Sequence, residues 1–212
     1  MKLTIYDLDG TLLRRSTYTP FLLFAARRLA PWRLVLAPVW VMLMVAHKAG
    51  LIDRTRLKAA GMRLLIGCPR PKRLENVTAR FVANRLGDLQ PGARAALERD
   101  RQEGRIVVIA TAAYAFYARH FAAALQVPHL LGSDWQAGTQ ASPNCYGPEK
   151  LARVERWLAE QGEAPETIRF YSDSFADAPL LDHADEPIFV TRNAGKARRA
   201  VARGWQVTDF SR

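Results

Sequence analysis

The 212-residue sequence predicts an α/β protein: a doubly wound, mostly parallel sheet with an all-helical segment inserted after its first strand. Three observations carry that expectation. Short β-rich runs alternate with helix-length segments from residue 89 onward, the pattern of parallel strands joined by helical crossovers. The stretch 20 to 86 instead reads as helices punctuated by Pro31, Pro38, Gly50, Gly67, Pro69 and Pro71. Charge changes at the same borders. Residues 13 to 88 hold 15 Lys and Arg against 3 Asp and Glu, whereas the remainder holds 16 against 17, so one segment carries the whole excess behind the net charge of +11.

The elements follow in order. "LTIYDL" is an apolar, β-rich first strand that runs into Asp7-Leu8-Asp9-Gly10-Thr11. In the helical segment the longest uncharged apolar run, "LVLAPVWVMLMVA" at 34 to 46, falls short of the roughly 20 residues that span a bilayer, and suits either a buried or an interfacial helix. After "GDLQPG" at 87 to 92 come a helix near 93 to 103, the strand "RIVVIAT" at 105 to 111 and a helix near 114 to 125. A short strand near 129 to 132, a loop to about 148 and a helix at 149 to 161 follow. The strands "IRFYS" at 168 to 172 and "PIFVT" at 187 to 191 complete the set. The expected division is a Rossmann-like core of residues 1–12 and 89–212 around a helical unit of residues 13–88.

Composition bounds the rest. With 49% hydrophobic and 24% charged residues the chain is globular rather than disordered. Cys68 and Cys145 lie far apart without CxxC spacing, which indicates neither a disulfide framework nor a zinc site and fits a reducing cytosol. Asp7 and Asp9 interrupt any signal-like apolar run, so a cytoplasmic location is expected. His47, His120, His129 and His183 show no HExxH spacing. GxSxG, GxGxxG and Walker A stretches are also missing.

In a sheet of this kind ligands bind outside the carboxyl ends of the strands. Asp7 and Asp9 end the first strand, and Thr111 with Ala112 ends the second. "YSDSFAD" supplies Asp173 and Asp177, and Lys150 heads a helix after Gly147-Pro148. Each alone has a bland reading. DxDG could open a calcium loop, but such a loop starting at Asp7 needs Gly at position 12 and Glu at 18, where Leu12 and Tyr18 stand. Thr111 could be an ordinary strand end, Lys150 a solvated helix charge, and Asp173 and Asp177 a helix cap and first-turn acid.

In order, DLDGTL, a strand-end Thr, a helix-opening Lys and an acidic Asp-x-x-x-Asp strand end resemble the haloacid dehalogenase superfamily of phosphohydrolases. An insertion directly after the first motif resembles the helical cap of its phosphoserine-phosphatase-like branch. "YSDSFADAPLL", "CYGPEK" and the basic, aliphatic cap look like the phosphatidylglycerophosphatase C group. The resemblance implies Asp7 as nucleophile and Asp9 as acid and base, with Mg²⁺ on Asp7, the Asp9 backbone carbonyl and Asp173. It further implies Thr111, Ala112 and Lys150 on the phosphoryl oxygens, and Asp177 orienting Lys150, while Gly10 allows close backbone approach. The last motif departs from the branch's Gly-Asp-Gly-x-Asn-Asp, with Ala176 in the asparagine position.

The expected substrate is a phosphate ester. Arg14, Arg15, Arg27 and Arg28 flank apolar runs, a mixture suited to anionic lipid headgroups, so peripheral contact with an anionic membrane is expected. A soluble phosphoserine- or histidinol-phosphate-like phosphatase is the alternative. A basic nucleic-acid-binding module is disfavoured, since its chemistry would leave Asp7 without a purpose.

Overall fold

A computed structural model of the chain describes residues 1–136, 139–140, 142–162 and 164–211. The chain starts with β1 (Lys2–Tyr6) and enters the insertion, α1 (Tyr18–Leu29), α2 (Ala37–Lys48), α3 (Arg54–Gly61) and α4 (Pro71–Ala83). It then alternates α5 (Pro91–Gln102), β2 (Ile106–Tyr114), α6 (Ala115–Ala124) and β3 (His129–Ser133). A hairpin of β4 (Trp135–Gln136) and β5 (Thr139–Gln140) precedes α7 (Pro148–Gln161) and β6 (Thr167–Ser172). Finally come α8 (Ala178–His183), β7 (Glu186–Val190), α9 (Ala194–Val201) and β8 (Gln206–Thr208). Six strands form one sheet in the order β3-β2-β1-β6-β7-β8, and every pairing in it is parallel.

β1 is central, so both of its faces are buried, and its alternation assigns the two layers. Leu3 and Ile5 join Val108, Phe170, Leu180 and Phe189 on one side. Tyr6 on the other side stacks on Tyr171 at 4.6 Å between ring centres and hydrogen-bonds the buried Asp100, which also pairs with Arg169. That second layer is continuous with the core of the insertion. Phe21 of α1 packs on Phe81 of α4 and on Phe116 and Tyr117 of α6, at 4.9 to 5.4 Å between ring centres. Gly61 is where α3 meets α1 and α2: a Cβ there would lie 2.7 to 2.9 Å from Tyr18, Leu22 and Trp40. The two chain passages joining insertion to sheet run side by side, with Arg14 N–H donating to Asp88 O and Gln90 N–H to Leu12 O, both at 2.9 Å.

The apolar run at 34 to 46 divides between the two expectations. Trp40 is buried and Leu43 and Met44 pack partly on the core. Trp32, Val35, Val39, Met42 and Val45, spaced as one helical stripe, face outward, with Val35 75% and Met42 70% exposed. No helix among the described residues is long and apolar enough to cross a membrane.

One boundary and several short elements differ from expectation. β2 continues past Thr111 to Tyr114, because Tyr114 regains a partner in Ser133 after a register shift against β3. The hairpin lies in the segment expected as a loop to about 148, its two-residue strands being too short to show an alternation, and α8, α9 and β8 have no counterpart in the sequence reading.

Candidate active site

The site lies where β1, β2 and β6 end. Asp7 directly follows β1 and is held by Asp7 N–H donating to Tyr171 O at 3.0 Å. Lys150, in the first turn of α7, is buried and places Nζ 2.7 Å from Asp7 Oδ1 and 2.6 Å from Asp177 Oδ2. Ser172 Oγ donates to the same Asp177 oxygen at 2.7 Å. Asp177 stands at the head of α8 without capping it, and Ser174 caps the short 3₁₀ turn Phe175–Asp177 just before that helix by accepting from Ala176 N–H. Asp177 is the first-turn acid that the sequence suggested and also an ion-pair partner of Lys150, whereas the capping hydrogen bond comes from Ser174 and not from Asp173.

Gly10 takes φ +91°, and a Cβ there would overlap the Asp173 carboxylate. The close approach that this glycine permits is thus to Asp173. Thr11 Oγ1 accepts from Asp173 N–H at 3.0 Å, which ties the end of β6 to the turn after β1. Asp9 Oδ1 accepts from Thr17 N–H at 3.0 Å, and Gln90 clamps the turn by donating to Thr11 O at 2.6 Å. Thr111 is buried and its Oγ1 accepts from Ala113 N–H at 3.0 Å, leaving its hydroxyl hydrogen to point elsewhere.

Asp7, Asp9, Thr111, Ala112, Lys150, Asp173 and Asp177 all line one cavity of about 200 Å³. Burial pushes the Asp7 carboxyl up to about 7, against the opposing charge of Lys150, with Asp177 and Asp173 adding to the rise. Burial likewise lifts Asp9 to about 6, despite the Thr17 hydrogen bonds. Asp173 is raised by burial too. Burial opposes the charge of Lys150, yet Asp177 and Asp7 together hold its amine above the ordinary lysine range.

Four carboxylates line the cavity against two cations, Lys150 and Arg54, and the surplus negative charge is one that a divalent cation would balance. No cluster of three or more His, Cys, Asp or Glu side chains arranged to hold a metal occurs among the described residues. A set of two carboxylates and one backbone carbonyl does not require such a cluster, and it suits Mg²⁺, which keeps several waters. Asp7 and Asp173 line one cavity with Asp9, so the two carboxylates and the Asp9 carbonyl are the groups that would supply that donor set.

Arg14 and Arg15 lie outside this cavity, in a groove of about 570 Å³ that also touches Gly10, Asp173, Arg192 and Lys196. Arg27 and Arg28 sit in the last turn of α1, where Arg28 covers the Phe24 ring, away from the carboxylates. Sequence reasoning missed the side chains that close the cavity from above. Arg54 at the start of α3 lies over the Tyr146 ring at 4.4 Å, and both line the cavity. Lys58, one turn on, is buried and donates to Ala112 O at 2.5 Å and Asn144 Oδ1 at 2.7 Å. The i, i+4 spacing of Arg54 and Lys58 puts both on one face of α3, but only the tertiary packing aims that face at the strand ends.

A parallel sheet whose carboxyl edge gathers aspartates around a buried lysine is a polar, charge-dense α/β site at the strand ends. The model of the haloacid dehalogenase-like hydrolases matches residues 4–182, and the chain belongs to that family. A protein of unknown function from Bordetella pertussis Tohama I superimposes with a TM-score of 0.88 at 27% identity, covering 99% of this chain and 98% of that one. A phospho-aspartyl intermediate analogue of phosphoserine phosphatase, at 13% identity, shares the fold with a TM-score of 0.62 over 100% of this chain and 93% of that one. A histidinol-phosphatase of Neisseria meningitidis serogroup C (strain 8013) is 41% identical over 64 residues, 29% of each chain. The matches span 29% to 40% of the length of the curated relatives.

Proposed function

We propose that the chain is a Mg²⁺-dependent phosphomonoester hydrolase that works through an aspartyl-phosphate intermediate, with a lipid phosphate monoester such as phosphatidylglycerophosphate as substrate. The observation that carries the chemistry is Lys150 bridging Asp7 and Asp177 in the cavity that Asp9 also lines.

Lys150 occupies Asp7 Oδ1, so Oδ2 attacks phosphorus while the bond from phosphorus to the alkyl oxygen breaks. Asp9, with its carboxyl lifted to about 6, gives its proton to the departing alkoxide. Asp9 then takes a proton from water, whose oxygen displaces Asp7 from phosphorus and frees phosphate. The Thr111 hydroxyl, the Ala112 N–H and Lys150 hold the phosphoryl oxygens throughout. Asp7, Asp173 and the Asp9 carbonyl would hold Mg²⁺, which would supply further positive charge to the nucleophile and the phosphoryl group.

Residues 13–88 act as the cap over this core. The outward stripe of Trp32, Val35, Val39, Met42 and Val45, on a segment with a surplus of 12 positive charges, supports its seating at the inner face of an anionic membrane. Arg14, Arg15, Arg27 and Arg28 contribute to that charge.

The test is Mg²⁺-dependent phosphate release by wild type and Asp7→Asn on phosphatidylglycerophosphate in mixed micelles, its short-chain analogue and phosphoserine. We expect Asp7→Asn to lose about a thousandfold or more, and the long-chain lipid to be the best substrate. Equal or faster turnover of the small esters would retain the phosphatase and reject the lipid.

A further inference from the structure

Asp173 lines both the phosphoryl cavity and the groove of about 570 Å³ that holds Arg14, Arg15, Arg192 and Lys196, and among the described residues it is the one the two share. We propose that this groove is a second anion site, which binds a small, multiply charged phosphate anion, and that an anion held there strengthens the hold of Asp173 on a divalent cation. The site stands apart from the phosphatase reading. The coupling rests on that reading, through Asp173 as a metal ligand.

The groove belongs to the core and its junctions. The phosphoryl cavity and a space of about 190 Å³ that adjoins it under the insertion both reach Arg54 of α3, whereas no helix of the insertion lines the groove. Arg14 and Arg15 come from the passage between β1 and α1, Arg192 from the loop after β7, and Lys196 from α9. Segments far apart in sequence thus bring the same sign of charge to one place.

That charge is not balanced locally. Elsewhere on the core, Arg105 pairs with Glu103 and Glu186, Arg153 with Glu149 and Asp134, and Arg203 with Asp182. Arg14, Arg15, Arg192 and Lys196 form no salt bridge among the described residues. The carboxylates on the wall are Asp173 and Asp209, and Asp209 Oδ1 already accepts from Ser211 N–H at 2.8 Å. Four cations against two carboxylates leave a positive groove, which concentrates anions.

The walls also set the class of anion. No aromatic ring lines the groove among the described residues, and Val190 is its one wholly aliphatic side chain, so nothing here stacks on a base or buries an acyl chain. Thr191 Oγ1 accepts from Asn193 N–H at 3.1 Å, which leaves its hydroxyl hydrogen to donate to an anion. At about 30 Å³ for a water-sized group the groove holds about nineteen such groups, room for two phosphates and their water.

Lys196 carries the coupling. Its Nζ donates to Asp173 O at 3.4 Å, and its charge opposes the rise that burial gives the Asp173 carboxyl. The same charge repels a cation on Asp173. An anion that masks Lys196 therefore favours the metal, and by reciprocity the metal favours the anion.

The experiment is calorimetric titration of the full chain with inorganic phosphate and, separately, pyrophosphate, both without Mg²⁺. Lacking metal, the phosphoryl cavity keeps its surplus of carboxylates and disfavours phosphate, so binding reports the groove. We expect one site per chain, weakened at least tenfold in Arg192→Gln combined with Lys196→Gln and largely kept in Arg192→Lys. Both side chains are exposed, so urea midpoints should not move. Tighter binding of pyrophosphate assigns a ligand with two phosphate groups, and equal binding assigns free phosphate; both support the site. No binding of either anion, or binding that the double variant leaves unchanged, overturns it. The coupling is read from Mg²⁺ titrations without any anion, where Lys196→Gln should bind severalfold more tightly than wild type because it removes the charge that an anion would mask. Mg²⁺ affinity unaltered or weakened in Lys196→Gln overturns the coupling. Wild type that binds no Mg²⁺ overturns the metal reading and the coupling together, while phosphate titrations still decide the site.

Discussion

At the carboxyl edge of the sheet, buried charge is held by buried charge: Lys150 sits between Asp7 and Asp177, and Ser172 and Thr11 fix the acidic loop to the turn after β1. On the outer side of the insertion a row of apolar side chains faces solvent beside arginines and lysines. Stability and chemistry are inseparable in the first region, since any side chain removed there leaves an uncompensated neighbour. In the second, the stripe is outside the packed core, so its composition is not explained by folding. A substitution should therefore separate the two regions by whether stability and function fall together.

The largest effect is expected for Lys150→Met. It leaves Asp7 and Asp177 buried without their cation, a loss on the order of 3–5 kcal/mol in chemical denaturation, together with loss of measurable phosphate release. Part of the lost stability should return as pH falls, because the carboxylates then protonate. A variant as stable as wild type at pH 7.5 would break the link between folding and chemistry in this region.

Gly10→Ala comes next. The added methyl meets the Asp173 carboxylate, and φ +91° is strained for any residue with a Cβ. A cost of about 1–3 kcal/mol and a fall of about a hundredfold in phosphate release are expected, with a weaker apparent affinity for Mg²⁺ as the specific signature. Unchanged Mg²⁺ dependence would show that Asp173 is not displaced.

Lys58 sits at the seam between the regions. Burial, with Arg54 adding to it, lowers its amine from 10.5 to about 7. Between those values the unfolded chain binds the extra proton, so this group makes stability rise with pH, by at most about 1.4 kcal/mol per unit. Lys58→Met should remove that rise between pH 7.5 and 9.5, below the range where the buried tyrosines titrate. Urea midpoints measured across that window check it, and identical slopes for wild type and variant would contradict it.

These residues also mark what the sequence made legible. The sheet, the insertion and the positions of Asp7, Asp9, Thr111, Lys150, Asp173 and Asp177 were readable because strand ends in a parallel sheet converge on one edge, so residues far apart in sequence share a place determined by topology. Arg54, Lys58, Tyr146 and Asn144 were not readable. Each reaches the site through the way α3 lies on the end of β2 and the loop before α7, and helical periodicity states which residues share a face without stating what the face meets. Lys58 in particular reads as a solvated charge in "RTRLKAAG", and its burial depends on the Ala112 carbonyl and Asn144 being there to receive it.

The smallest effect on folding should come from the stripe. Trp32→Ser combined with Met42→Ser removes two side chains that are 67% and 70% exposed, so denaturation midpoints should shift by less than about 0.5 kcal/mol. Turnover of a soluble ester should be unaltered, since neither residue lines the two cavities under the insertion. If the stripe seats the insertion on anionic lipid, flotation with phosphatidylglycerol vesicles at low salt should fall by about tenfold or more, because two apolar anchors are lost while the basic charge remains. Undiminished flotation that vanishes at high salt would assign the contact to charge alone. Flotation absent already in wild type would return the stripe to ordinary surface and sharpen the contrast in the other direction, leaving the carboxyl edge as the whole of the functional surface.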